Sequence, residues 1–284
     1  MRVHHLNCGC LCPFGGRLMD GSSRGLAAHL VCHCLLIESE SGLVLCDTGF
    51  GMRDVRDPRS RLSRALMAVT RPVFDERLTA IRQIEALGFT ARDVRHIVLT
   101  HLDFDHAGGL EDFPQARVHV LETEREAALA RTGPRDKRRY RLAQWDDVTH
   151  WRTYRPGGEA WFGFDAVHDL DGLPPEILLV PLAGHTLGHS GIAVHTPSGW
   201  LLHAGDAYFH HAEVGASRRS CPVGLRMFQS VLDEDRTARL RNQDRLRTLS
   251  TDPEAGVRMF CSHDRTELEA YLEAAPGRAP ATAA

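Results

Sequence analysis

The chain has 284 residues, 43% of them hydrophobic and 25% charged, a balance ordinary for a folded protein that excludes a disordered or fibrous chain. No apolar run approaches the roughly 18 residues that cross a bilayer, and MRVHHLNCGC lacks the apolar core of a secretory leader, so a cytoplasmic protein without membrane contact is expected. A formal net charge of -3 offers no basic face to a polyanion, which argues against nucleic acid as a partner.

Short runs of Val, Ile and Leu alternate with helical patterns, which predicts an α/β chain with buried strands. Strands over 30–37 and 43–46 flank ESESG and read as a hairpin. A helix over 76–87 has Asp75 as its N-cap, a stripe of Leu78, Ile81, Ile84 and Leu87, and Gly88 as its stop. A strand over 94–99 and a helix over 122–130 follow. Residues 131–165 are polar and weakly periodic, and read as an insertion over the surface. Strands return at 177–182, 191–195 and 200–204, and a long loop from 207 leads to a helix over 234–249. A last strand at 257–261 precedes a helix over 265–274. The tail APGRAPATAA, 275–284, is expected to be disordered, and no repeat or composition break divides 1–274, which reads as one domain.

Of eight cysteines, six fall early, at Cys8, Cys10, Cys12, Cys32, Cys34 and Cys46, with only Cys221 and Cys261 beyond. Free buried thiols are the expected state. The C-x-C-x-C run at 8–12 could bind a soft metal, yet zinc knuckles space their cysteines more widely and need a second pair. Its role stays open at this point.

Five apolar runs end at an acid or an imidazole: LVLC at Asp47, HIVLT at His101, LLVPLAG at His185, WLLHAG at Asp206 and RMFCS at His263. Strand ends of an α/β sheet form one rim, so these side chains can converge from distant parts of the chain. The densest stretch, HLDFDHAGG, offers His101, Asp103, Asp105 and His106 within six residues, enough to serve two ions. A single Asp or His at a strand end is ordinarily a cap or a solvated side chain. A helix start after a strand would explain the acids of this stretch but not its two histidines. Of the 17 histidines most, including His29, His96, His119, His168 and His195, read as having no role in the chemistry.

At these residues the chain resembles the metallo-β-lactamase superfamily of metal-dependent hydrolases. The resemblance rests on DTG at 47–49, HLDFDHAGG at 101–109, GHTLGH at 184–189, GDA at 205–207 and SHD at 262–264, in that order. It implies a four-layer αββα sandwich with the site at one edge. Carried over position by position, it implies His101, Asp103 and His185 on a first ion, Asp105, His106 and His263 on a second, Asp206 bridging both, and Asp47 behind them orienting ligands. One position departs from the pattern: Asp103 stands where HxHxDH has its second histidine. A related branch, the oxygen-reducing di-iron proteins, carries a glutamate there. The change makes the centre less positive and its donors harder, so two divalent ions are expected, zinc first, with iron or manganese admitted by Asp103.

The resemblance further implies hydrolysis by activated water, with Asp105 orienting the water or carrying its proton. Asp206 stands where the commonest zinc β-lactamases have cysteine, which argues against antibiotics as substrates. The spacing looks more like the lactonase and glyoxalase II groups, so the expected substrate is a small ester or lactone. Tyr208 lies near the place of a tyrosine that assists the substrate carbonyl in such lactonases, with Phe209 at the next position. Substrate contacts are expected from 131–165 and 207–222, at Trp145, Trp161 and Arg218 among others, and RDKRRYR at 135–141 reads as a solvated helix face. The alternatives are a di-iron redox protein on the same cage, a phosphodiesterase or thioesterase, and a non-catalytic metal-binding sensor. The oligomeric state is not set by the sequence.

Overall fold

The computed structural model describes residues 1–167, 169–215 and 218–274. His168 and the tail 275–284, on which two of the expectations above fall, lie outside them. Two sheets organise the chain. The larger is built from Arg2–Leu11 (β1), Leu30–Ser39 (β2), Gly42–Cys46 (β3), Pro72–Val73 (β4), Val94–Val98 (β5), Arg117–Leu121 (β6) and Trp151–Tyr154 (β7), in the order β4-β1-β2-β3-β5-β6-β7. The smaller holds Ile177–Pro181 (β8), Ser190–Thr196 (β9), Gly199–His203 (β10) and Val257–Phe260 (β11), in the order β11-β10-β9-β8. The pairs β3–β5, β5–β6, β6–β7 and β10–β11 are parallel, and β1–β2, β2–β3, β8–β9 and β9–β10 are antiparallel.

The layering follows from which faces the apolar side chains leave. Leu35, Ile37, Val44 and Val98 of the large sheet share one buried cluster with Ile177, Leu179, Ile192 and Phe260 of the small one, so the two sheets pack face to face. The opposite face of the large sheet, with Leu36, Leu45 and Ile97, packs on Ile84 of the helix Ala80–Ala86 and Ala128 of the helix Glu122–Ala130. The opposite face of the small sheet packs on Leu246 and Leu249 of the helix Arg236–Thr251. The result is a four-layer αββα sandwich. Among the described residues, no helix is long and apolar enough to cross a membrane.

The helices are Arg17–Asp20 (α1), Met52–Arg56 (α2), Pro58–Arg61 (α3), Arg64–Thr70 (α4), Ala80–Ala86 (α5), Glu122–Ala130 (α6), Pro134–Arg139 (α7), Val223–Leu232 (α8), Arg236–Thr251 (α9) and Arg265–Glu273 (α10). Four differences from the sequence reading bear on the site. β1 was not foreseen, and its ladder to β2 carries a register shift between Asn7 and Cys10. The helix expected over 76–87 breaks at Thr79, whose extended backbone ends a 3₁₀ turn capped by Asp75 before α5 begins. The segment 131–165 contributes the edge strand β7 as well as surface chain. α8 fills part of what read as loop.

Asp54 of α2 and Arg61 of α3 are both fully buried and pair at 3.0 Å. Arg61 also donates to the carbonyl of Gly108 at 3.3 Å, which ties these helices to the loop after β5. Gln144 donates to the other Asp54 oxygen at 3.0 Å. Removing one partner of a buried pair strands the other charge. Arg61→Ala is therefore expected to lose about 3 to 5 kcal/mol of stability, read from denaturant unfolding; a loss below ~1 kcal/mol would show that the pair is not structural.

Candidate metal centre

Strands β3, β5, β8, β10 and β11 deliver their C-terminal ends to one rim, where Asp47, His101, His185, Asp206 and His263 follow. There His101, His185 and Asp206 bring one ligand atom each within 4.8 Å of one another, and His106, Asp206 and His263 do the same. Asp206 belongs to both clusters. Its backbone turns at Gly205, where φ is +56° and a side chain would meet the ring of His189 at 2.5 Å, so glycine is required there.

Three imidazoles are aimed inward by bonds on their outer nitrogens. His106 Nδ1 lies 2.8 Å from Asp47 Oδ2, and His263 Nδ1 donates to the carbonyl of Val31 at 2.7 Å. His101 Nδ1 lies 2.9 Å from Thr100 Oγ1, whose hydroxyl in turn donates to Asp47 at 2.7 Å. These bonds fix the tautomer that leaves Nε2 toward the site. Behind them, His189 bonds the carbonyl of Leu182 through Nδ1 and accepts the backbone N–H of Asp206 on Nε2 at 2.8 Å. Buried Glu124 accepts from the backbone of Leu102 at 3.0 Å and Gly188 at 3.2 Å, joining the two histidine loops. Thr100, Glu124 and His189 were not singled out from sequence, although His189 closes the GHTLGH run.

The buried Nε2 atoms of His101 and His106 and the Oδ1 of Asp206 have no hydrogen-bond partner among the described residues. Buried polar atoms left in this way are costly unless something else satisfies them. Facing imidazole nitrogens and a shared carboxylate are the donors that divalent metal ions take, so the residues fit such ions. Burial opposes ionisation of Asp206, but His263, His106 and His185 outweigh it and hold its pKa well below the usual carboxylate range.

Asp103 and Asp105 sit differently. The two Asp103 oxygens accept from Arg139 Nε at 2.6 Å and Nη2 at 2.7 Å, while Oδ2 is also 3.0 Å from His185 Nε2. The Arg139 side chain is only 8% exposed, so it is no part of a solvated helix face; Nη2 lies 2.7 Å from His185 Nε2 and Nη1 donates to the carbonyl of Leu232 at 2.7 Å. Asp105 lies beside the second cluster, 3.7 Å from His263 Nε2, and forms a further group with His263 and the buried thiol of Cys32. No cysteine was expected near these donors.

A cavity of about 430 Å³ opens over the clusters, floored by Asp103, Asp105, His185, Asp206 and His263. Its walls are mostly apolar: Leu30 of β2, Leu66 and Val69 of α4, Phe104, Phe209, and Phe228 of α8. Arg135, Arg138 and Arg139 of α7 also line it. Four residues expected at the site are elsewhere. Tyr208 is fully buried and donates to Glu267 at 3.0 Å, while Phe209 faces the cavity and stacks on His263 with centroids 4.9 Å apart. Trp145 and Trp161 belong to the cores outside the large and small sheets, because their bulk fills those layers. Arg218 lines a separate cleft with Arg226 and Arg239.

The model of the metallo-beta-lactamase superfamily matches residues 28–252. The chain belongs to this superfamily. A probable metallo-hydrolase of Mycobacterium tuberculosis (strain ATCC 25618 / H37Rv) is 40% identical over 93% of this chain and 80% of its own length. An N-acyl homoserine lactonase of Bacillus thuringiensis is 31% identical over 42% of this chain and 50% of its own. Among solved structures, an N-acyl homoserine lactone hydrolase with the product N-hexanoyl-L-homoserine bound at its catalytic metal centre superposes with a TM-score of 0.71. It is 20% identical and covers 94% of this chain and 95% of that one. The dizinc quorum-quenching lactonase AidC gives a TM-score of 0.59 at 15% identity, over 92% and 86% of the two chains. The protein is a metal-dependent hydrolase.

Among the cluster ligands Asp47 bonds directly to His106, and this bond sets the direction of that ring. Asp47→Asn is expected to weaken metal retention about 10- to 100-fold against a chelator, with the fold intact. Unchanged retention would mean that the ring is aimed by packing alone.

Proposed function

We infer that the chain binds two divalent ions side by side and hydrolyses a lactone or ester bearing an apolar acyl chain. His101, His185 and Asp206 would hold one ion, and His106, His263 and Asp206 the other. Asp103 would complete the first set with the oxygen that already faces His185, and Asp105 the second. Bound divalent ions would supply an acidified water and a polarised carbonyl oxygen. Zinc is the first choice, supported by the resemblance to a dizinc lactonase. The observation that carries the substrate class is the apolar cavity directly over the clusters.

The chain's own residues divide the remaining work. Asp105 lies at the cavity floor, 3.7 and 3.9 Å from the imidazole nitrogens of His263 and His106, where a carboxylate oxygen can hold the proton of an attacking water. Leu66, Phe104, Phe209 and Phe228 exclude water and would pack an acyl chain. Phe209 brings no hydroxyl to the substrate carbonyl, and the Arg139 guanidinium is committed to Asp103, His185 and Leu232. The likeness to N-acyl homoserine lactonases supports lactones over phosphodiesters and thioesters.

The test is a panel of lactones of increasing acyl length, aryl esters, thioesters and phosphodiesters on metal-quantified protein. Lactone cleavage should stop with a chelator and return with metal. Each methylene buried in the cavity is expected to add about fourfold to kcat/KM, from ~0.8 kcal/mol. Phe228→Ala should flatten that chain-length trend while metal content stays constant. Phosphodiester cleavage without lactone cleavage would overturn the substrate class.

A second prediction concerns Arg139. Arg139→Met leaves the Asp103 carboxylate buried without its cation, so the metal-free variant should lose about 3 to 5 kcal/mol. With metal the carboxylate regains a positive partner, and the variant should hold metal more tightly than the parent in chelator competition. Equal losses with and without metal would show that Asp103 does not face the ion.

A further inference from the structure

Cys10, Cys12 and His29 form a donor cluster outside the catalytic cavity. The register shift between Asn7 and Cys10 divides the early thiols: Cys8 is buried with Leu6 and Cys34, whereas Cys10 and Cys12 are half-buried and His29 is exposed. Beyond the shift, β1 and β2 pair Cys10 with Val31 and Leu11 with Leu30, so the next step of the register sets Cys12 opposite His29. The two sulfurs are 3.5 Å apart, and His29 Nδ1 lies 3.9 Å from Cys10 Sγ and 3.7 Å from Cys12 Sγ. The backbone N–H of His29 is anchored on Asp20 Oδ2 at 2.8 Å. A metal bound at about 2.3 Å from sulfur and about 2.0 Å from nitrogen separates its donors by roughly 3.5 to 3.9 Å, the spacing found here.

We propose that Cys10, Cys12 and His29 form a second, solvent-accessible metal site for a thiophilic d¹⁰ cation, Cu(I) or Zn(II). His29, just before β2, supplies the donor that a lone C-x-C pair lacks. Two thiolates and one imidazole select soft or borderline cations over magnesium, calcium or manganese. Three protein donors suit three-coordinate Cu(I) directly and leave Zn(II) to complete its tetrahedron with water. Binding displaces the thiol protons to solvent. Burial first, and then the neighbouring Cys12, push the Cys10 thiol up to about 12, so uptake should weaken as pH falls. The site also touches the catalytic cavity through its neighbours, since Leu11, between the cysteines, and Leu30, after His29, both line that cavity.

The experiment titrates the reduced holoenzyme anaerobically with Cu(I) against a colorimetric Cu(I) chelator, and in a separate arm with Zn(II) against a chromophoric zinc chelator. The full chain should take up one equivalent more than a Cys10→Ser/Cys12→Ser variant, with an affinity about a hundredfold or more above any residual binding. His29→Ala should weaken it about tenfold. Both variants should keep the metal content of the catalytic clusters, which also verifies that they fold, and His263→Ala should keep the extra equivalent. Thiol-dependent uptake in either arm supports the site, and the arm that responds identifies the cation. Equal uptake by parent and double-serine variant in both arms overturns it. So does an extra equivalent that disappears in His263→Ala, or a Cys10–Cys12 pair that only oxidises to a disulfide and takes up neither cation.

Discussion

The site depends first on one buried carboxylate. Asp47 accepts the backbone N–H of Thr100 at 2.8 Å, the Thr100 hydroxyl at 2.7 Å and His106 Nδ1 at 2.8 Å. Burial opposes its ionisation, but His106 outweighs burial and holds the pKa down at about 2. These bonds lock the end of β3 to the turn after β5, and through Thr100 they also set the ring of His101. The backbone of Asp47 has φ of +55°, an uncommon conformation for a non-glycine residue and one that clusters at functional sites. A fixed carboxylate thus orients one imidazole of each donor cluster.

The ligand candidates were legible because each follows an apolar run, and strand ends of such sheets meet at one rim. The recognition surface was not, for reasons that differ by residue. Tyr208 is buried in the core while the next residue, Phe209, lines the cavity, so an offset of one residue from the lactonase pattern exchanges core for cavity. Trp145 and Trp161 lie in segments of loop-like composition, yet their bulk is taken up by the cores outside the two sheets. α8 does carry a helical signal in its sequence: Leu225, Phe228 and Leu232 recur at helical spacing directly after Pro222. β1 was masked by His, Asn and Gly9 and by the register shift that interrupts its alternation.

Donors and recognition elements also come from different parts of the architecture. The rim is made of strand ends clamped by Asp47, Glu124 and His189, whereas the cavity walls come largely from α4, α7 and α8, outside the paired sheets. Precise donor geometry needs the rigid elements, and pocket shape can vary on the helices without disturbing it. Of the two segments named from sequence, 131–165 does reach the cavity, but through Arg135, Arg138 and Arg139 rather than through its tryptophans. In RDKRRYR five residues are basic, and only tertiary placement decides which of them turns inward.

That placement changes what Asp103 means. Read alone, an aspartate in place of histidine lowers the positive charge of the centre by one unit and favours a harder metal. The structure sets the Arg139 guanidinium on both oxygens of that carboxylate, with little exposure to solvent to screen the pair. The extra negative charge is therefore paired locally with a cation, which also reaches Glu234 at 3.3 Å. What remains of the substitution is donor type: one oxygen in place of one nitrogen, in a carboxylate already engaged by a cation. The charge argument for a harder metal is weaker by that pairing, and the donor argument depends on Asp103 releasing Arg139 or sharing an oxygen with it. Residues 103 and 139 form one electrostatic unit, and neither can be interpreted, or replaced, without the other.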